Sequence, residues 1–300
     1  MKFIKYLLCS ERQERTENIG VDFHTLCLKI SRSENLPIMP VAVLNLLRLF
    51  GAEDVSSREL ANAIGNDVGL AAKIFKVASS PMYSAGPCEN ITRAIGIIGI
   101  NRMKQIAVTL GYEQVTQEKS MVPSFDKNVY WAHCKATATV AREIMVHLNR
   151  TKQDNAYMAG LIHDVGFLAM ERYSPKELNK AILIARTRKI GILDAEAEAF
   201  GYTHHQVSLE LVTRWKLAPY IRDVIASQEN PAEAMGDPET GKVIAISNTI
   251  AYEMGYPPIR GINASHTSEE YLHLINISID QMTDVVERAK LEITGTKKAA

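Results

Sequence analysis

His163 and Asp164 stand side by side in AYMAGLIHDVGFLAM, residues 156–170, an almost unbroken apolar run in which nothing else is charged at neutral pH. An ionised carboxylate taken out of water without a partner is costly, so Asp164 requires a cation, a metal or a dense set of hydrogen bonds. Imidazole nitrogen and carboxylate oxygen together suit zinc, iron or manganese, and such an ion would keep Asp164 ionised and the histidines neutral. The competing reading is a hydrogen-bonded polar knot that sets helix register.

Other polar residues lie in stretches that otherwise read as buried: His133 in WAHCKATATVA, His204 with His205 after the FGYT turn, and Asn248 in AISNTIAYEMG. Read as one helix, the 156–170 run points His163 and Asp164 about 100° apart, so they share a ligand only where other helices close the site. The helix of His133 is a natural source of closure, because Ala132, Ala136 and Ala138 let a second backbone come near. The same angular divergence predicts that one of His204 and His205 faces water. Trp131 and Trp215 are assigned to packing. Arg186, Arg188 and Lys189 are read as a solvated helix end, and Lys297-Lys298 likewise. Cys134 lacks an electropositive setting but shares a helix with His133, which leaves its reactivity open.

The elements that must position these groups read as helices. Apolar periodicity marks Val41 to Phe50, Leu70 to Ala78, Ile91 to Ile98, Val129 to Leu148 and Val243 to Met254, and alternating strand patterns are hard to find. Ser56 with Glu59, Ser174 with Glu177 and Thr267 with Glu270 are spaced as capping boxes, Pro175 suits a first helical position, and Asp67 reads as an N-cap. The fold class is therefore all-α. The polar stretch EQVTQEKSMVPSFDKN, residues 113–128, lacks periodicity and marks the division between two helical halves. This predicts an N-terminal extension over 1–20, a helical lobe over 21–115, a second lobe over 126–295 and a frayed tail over 296–300.

The 300 residues carry 46% hydrophobic content, enough for a sizeable core, and Lys plus Arg equals Asp plus Glu at 34 each. No global field draws such a chain to nucleic acid or anionic lipid. Four dispersed cysteines form no Cys-x-x-Cys pair, which argues against a zinc ribbon or disulfide framework and fits a reducing cytoplasm. The start, MKFIKYLLCS, does not read as a signal peptide, and no segment supplies the roughly 18 consecutive apolar residues of a membrane span.

Taken together, His133 and the His163-Asp164-Val165-Gly166 string resemble the His…His-Asp pattern of HD-superfamily phosphohydrolases, and more specifically the HDOD family. The N-terminal half is similar to it in LPIMP (residues 36–40), ELANAIGNDVGLAAKIFKVASSPMY (59–83) and ITRAIGIIG (91–99). The C-terminal half is similar in AGLIHDVG (159–166), EAFGYTHHQVSLELVTRWKLAP (198–219) and the segment from Val243 to Gly255. The resemblance implies an HD-like helical bundle preceded by a smaller helical lobe, serving as a bacterial signal-transduction output module whose partners are signalling proteins or a small ligand. It implies a metal set of His133, His163, Asp164 and His204. It also implies departures from catalytic relatives: Asn248 stands where HD enzymes place a late Asp, Phe167 where HD-GYP phosphodiesterases carry Lys, and Gln228-Glu229 where a histidine pair is usual. The expectation is a regulatory protein with no catalytic residue and at most one transition metal. A metal-dependent phosphohydrolase or cyclic-dinucleotide phosphodiesterase with a degenerate site is the rival.

Overall fold

A computed structural model describes residues 21–32, 38–50, 52, 54–83, 88 and 90–295. The proposed extension over 1–20, Cys9, Leu36-Pro37, Lys297-Lys298 and the tail over 296–300 lie outside the described residues. Among the described residues there are helices and no strands. The first half holds α1 (Phe23–Arg32), α2 (Val41–Phe50), α3 (Ser57–Gly65), α4 (Val68–Ala78), α5 (Ile91–Ile98) and α6 (Ile100–Thr116). Local chemistry explains several boundaries. Ser56 and Glu59 form the reciprocal box at the start of α3, while Asp67 and Asn90 accept the N3 amides of α4 and α5.

The second half runs through α7 (Lys127–Leu148), α8 (Gln153–Ile162), α9 (Gly166–Tyr173), α10 (Pro175–Arg188), α11 (Ile192–Phe200) and α12 (His204–Arg214). It continues with α13 (Pro219–Ala226), α14 (Pro238–Glu253), α15 (Ser268–Leu272) and α16 (Ile279–Thr294). The long α7 packs against α8, α14 and α16. One apolar core runs through both halves, from Leu26, Leu47 and Ile74 to Phe167, Leu178 and Leu211. A second cluster lies between α7, α14 and α16, around Ile144, Ile246 and Val285. No described helix is long and apolar enough to cross a membrane.

Several expectations are corrected. The 156–170 run is two helices, not one: α8 ends at Ile162, residues 163–165 form a turn, and α9 starts at Gly166. Residues 113–116 of the expected linker belong to α6, which leaves 117–126 as the connection to α7. Ser174 makes no side-chain cap bond, and the Glu177 carboxylate instead accepts from the Val21 amide at 3.1 Å. Thr267 makes none either; Glu270 pairs with His266, and the Ser268 amide donates to Glu253 at 2.8 Å. Arg186 is not a free cation at a helix end: it donates to the carbonyls of Arg260 at 2.9 Å and Ser124 at 3.1 Å, tying two loops together.

Two glycines let the helices carrying the polar residues approach. A Cβ on Gly160 would meet Ala138 Cα at 2.8 Å, so α8 lies backbone to backbone on the alanine-rich face of α7. A Cβ on Gly166 would meet the His204 carbonyl oxygen at 2.1 Å, so the start of α9 touches the start of α12. Any larger residue at either position would push its helix off the neighbour. The break between the two helices, where His163 and Asp164 sit, is thus held against both.

Candidate metal centre

The turn after α8 is what brings the two neighbouring residues onto one point. His163 caps α8 and Asp164 follows in the turn, so the side chains need not diverge as on a continuous helix. His163 Nε2 lies 3.2 Å from Asp164 Oδ2. His133, from the second turn of α7, adds its Nε2 at 3.6 Å from the same oxygen and 3.3 Å from His163 Nε2. All three groups are buried, with both histidines at 0% exposure.

Hydrogen bonding on the far side of each ring sets the tautomers. His133 Nδ1 is 2.7 Å from the Tyr256 carbonyl oxygen, and His163 Nδ1 is 2.8 Å from that of Gly160. A carbonyl only accepts, so each Nδ1 carries the proton and donates it. In neutral rings both Nε2 lone pairs then face each other and the Asp164 carboxylate. Three acceptors around one point require a cation between them, whether a proton on one ring or a metal. A tetrahedral ion with metal–nitrogen distances of about 2.0–2.1 Å has donor–donor edges of about 3.4 Å, and the observed triangle has nearly those edges. The donor set therefore fits one zinc-, iron- or manganese-class ion.

Asp164 faces a second group through its other oxygen. His204 Nε2 lies 3.4 Å and His205 Nε2 3.7 Å from Oδ1. The expectation that one of the adjacent histidines faces water is overturned, since His204 and His205 are 3% and 7% exposed. Their position in the first turn of α12 explains this, because Asp164 and the α9 start close over that end of the helix. His204 is gripped by Glu196 of α11, which accepts from its backbone amide at 2.9 Å and from its Nδ1 at 2.7 Å. Phe167 stacks on the His204 ring with centroids 3.8 Å apart. Tyr130 donates to the Asp164 carbonyl oxygen at 3.2 Å.

Charge follows this arrangement. Burial works against ionisation of Asp164, but the imidazoles of His163 and His204, with that of His133 beside them, hold its carboxyl well below the usual range. Burial likewise opposes charge on His204, yet the Glu196 and Asp164 carboxylates push it up to about 10. Burial lowers His133, and burial followed by repulsion from His204 takes His205 well below its ordinary value. Burial, with the nearby Asp164 charge adding to it, raises Glu196 despite its imidazole partner. Burial also pushes the Cys134 thiol well up, so it is no ready nucleophile.

The cavity beside the centre, about 280 Å³, is lined by Asp164, His204, His205, Gln228, Glu229 and Asn248, with Tyr252 and Tyr271 in its wall. The structure thus assembles every residue that the sequence put forward, His133 and His163 behind Asp164 and the others in front of it. Gln228 is buried and donates from Nε2 to the His163 carbonyl at 3.0 Å, whereas Glu229 is at the rim and accepts from Thr203 Oγ1 at 2.8 Å. Asn248 Oδ1 is buried and has no hydrogen-bond partner among the described residues. Glu196 was missed by sequence reasoning. Its signal was a carboxylate spaced four residues from both Ile192 and Phe200 on the apolar side of its helix.

Comparison with known proteins places this architecture. The chain resembles the structure of an HDOD domain protein of unknown function from Geobacter sulfurreducens, with a TM-score of 0.74 and 23% identity over 90% of this chain and 95% of that one. It resembles that of a candidate phosphohydrolase from Shewanella amazonensis SB2B, with a TM-score of 0.68 and 20% identity over 90% and 95%. It also resembles that of a candidate signal transduction protein from Marinobacter aquaeolei VT8, with a TM-score of 0.67 and 18% identity over 92% of this chain and 66% of that one. At such identities the likeness speaks for the fold. No curated protein matches. The HDOD domain family model matches residues 36–231, and that stretch contains α2 to α6 of the first half and the four histidines around the Asp164 carboxylate; the chain belongs to the HDOD domain family.

Proposed function

We propose that this HDOD protein is a non-catalytic signal-transduction module whose Asp164 centre holds one transition metal and whose adjoining cavity takes the signal. The observation that carries this reading is the closure of the inner triangle. A metal-dependent hydrolase needs a coordination position open to substrate and water. His133 and His163 are wholly buried and do not line the cavity, so an ion held by their Nε2 atoms and Asp164 Oδ2 faces protein on most sides. When bound, the ion neutralises the Asp164 carboxylate and joins α7 to the α8–α9 turn. On the cavity side, Asn248 offers a neutral amide where the resemblance calls for a carboxylate, which weakens the hold on a second cation.

The route from the centre to the rest of the molecule supports regulation. Glu171 lies on α9, directly after the turn of His163 and Asp164. Its carboxylate accepts from the Met121 amide at 2.7 Å and Ser120 Oγ at 3.2 Å, and it lies 3.3 Å from Lys127 Nζ. Those partners belong to the connection between the two helical halves and to the first residue of α7. A shift of α9 caused by occupancy of the cavity thus reaches the connection directly, and biases the arrangement of the halves that a partner signalling protein reads.

The rival is a phosphohydrolase or cyclic-dinucleotide phosphodiesterase. The observation in its favour is that Asp164 Oδ1, His204 and His205 do face the cavity. Elemental analysis of protein purified without chelator, combined with turnover assays on phosphomonoesters and cyclic dinucleotides, separates the two. The expected result is one transition metal per chain, lost in Asp164→Ala and His163→Ala, without turnover. Metal-dependent turnover abolished by Asp164→Ala overturns the proposal.

A further inference from the structure

The cavity in front of Asp164 has an unusual donor and acceptor balance. Gln228 Oε1 and Asn248 Oδ1 are buried acceptors with no hydrogen-bond partner among the described residues, Asp164 Oδ1 has the His204 and His205 Nε2 atoms beside it at 3.4 Å and 3.7 Å, and all three residues line it. Asp164 is 1% and Gln228 8% exposed, so neither oxygen is simply hydrated surface. The Gln228 amide cannot be turned round to offer its NH2 group, because that group already donates to the His163 carbonyl. An unpaired buried acceptor costs free energy that a bound donor restores. The rim adds two carboxylates, Asp194 and Glu229, and no lysine or arginine among the described residues lines the space. His204, held charged between Glu196 and Asp164, also lines the space, but the carboxylates of Asp164, Asp194 and Glu229 outnumber it, and His205 Nδ1, which has no hydrogen-bond partner among the described residues, takes either role.

Phosphate groups are bound by arginine, lysine or converging backbone amides. Acceptors and carboxylates in their place disfavour an anion and favour a cation that carries several N–H bonds. The remaining wall is apolar or aromatic, with Ile192, Leu193, Ala245, Tyr252 and Tyr271. A hydrated metal ion would leave that wall unused. An organic ammonium places its head among the three oxygens and its body against the wall, where a tyrosine face attracts the cation further. The volume of about 280 Å³ is near the lower end of small-molecule sites.

From this we infer that the signal recognised in the Asp164 cavity is a small primary amine with an apolar body, and not a phosphoester. This rests on the regulatory reading given above and adds its ligand class. It concerns the Oδ1 face of Asp164, which the inner triangle leaves free.

The test is calorimetric titration of the full chain with three matched probes: phenethylamine, phenethyl alcohol and phenyl phosphate, each repeated after chelator treatment and with added Mn²⁺. The expected result is saturable binding of the amine alone, weakened about tenfold or more by Gln228→Leu and by Asn248→Leu, the scale of losing a hydrogen bond to a charged group. Urea unfolding of the two variants confirms that they remain folded, and the comparison among the three probes on wild-type protein needs no variant. Binding of phenyl phosphate in preference to the amine overturns the inference. So does equal binding of the alcohol, amine binding indifferent to both substitutions, or binding of Mn²⁺ at this face with no amine binding. If the amine fails while metal is present without turnover, only the ligand class falls; turnover on phosphoesters removes the regulatory reading itself.

Discussion

The two faces of the Asp164 carboxylate are built differently. On the Oδ2 face, both imidazoles are anchored through Nδ1 to backbone carbonyls, at 2.7 Å and 2.8 Å, and both are wholly buried. On the Oδ1 face, His204 is anchored to a side chain, Glu196, while His205 Nδ1 has no hydrogen-bond partner among the described residues. Backbone anchors on packed helices hold donor atoms in place before anything binds. Side-chain anchors and unpaired acceptors leave room for an occupant to decide the final geometry. One carboxylate therefore serves a preorganised site and an adaptable one.

The largest test of this contrast is Asp164→Ala, which leaves His204 without one of its two carboxylates and the inner histidines without theirs. Removing one member of a buried charge group costs about 3–5 kcal/mol, to be read from urea unfolding of the metal-free protein. A loss near zero would mean that the histidines close on each other and that Asp164 is not the organising group. Next comes metal content. His133→Ala should empty the centre, whereas Glu196→Gln, which acts on the outer face, should change the metal dissociation constant by less than about tenfold, short of the 10–100-fold typical when a ligand's supporting partner is lost. If Glu196→Gln empties the centre as completely as His133→Ala, the ion sits on the Oδ1 face.

Gly166→Ala sharpens the same comparison sterically. Its Cβ would reach the His204 carbonyl oxygen at 2.1 Å, so α9 and α12 must part. The expected cost is about 1–3 kcal/mol, with the outer histidines displaced and the inner pair kept. Histidine chemical shifts in the variant distinguish this from general loosening, in which all four rings move. A further test is pH. His204 has a folded value of about 10 against an ordinary 6.5, so its contribution is fully present below 6.5 and is lost as pH rises through about 10. Unfolding free energy of the metal-free protein should fall over that window. Glu196→Gln removes the largest raising charge and should flatten the slope; an unchanged slope would assign it to other groups.

Much of this organisation was legible in the chain itself. Helices at Val41–Phe50 and Ile91–Ile98 have the bounds that apolar periodicity marks, and Ser56, Glu59 and Asp67 start their helices by local hydrogen bonds. His163 and Asp164 stood out because charge within an apolar run has to be satisfied somewhere. The turn between α8 and α9 was not legible. Neither Gly160 nor Gly166 signals a break by itself, and an apolar run reads the same for one buried helix or two.

The sequence by itself determined an all-helical chain and the placing of His133, His163, Asp164 and His204 within stretches that otherwise read as buried, because residue type and short-range spacing carry that information. Only the tertiary structure decided that His205 turns inward, that Glu196 steers His204 and that acceptor oxygens of Asp164, Gln228 and Asn248 meet in one cavity. These are consequences of which helix faces which, and that depends on close backbone approaches between residues far apart in the chain, such as Gly160 on Ala138 and Gly166 on His204.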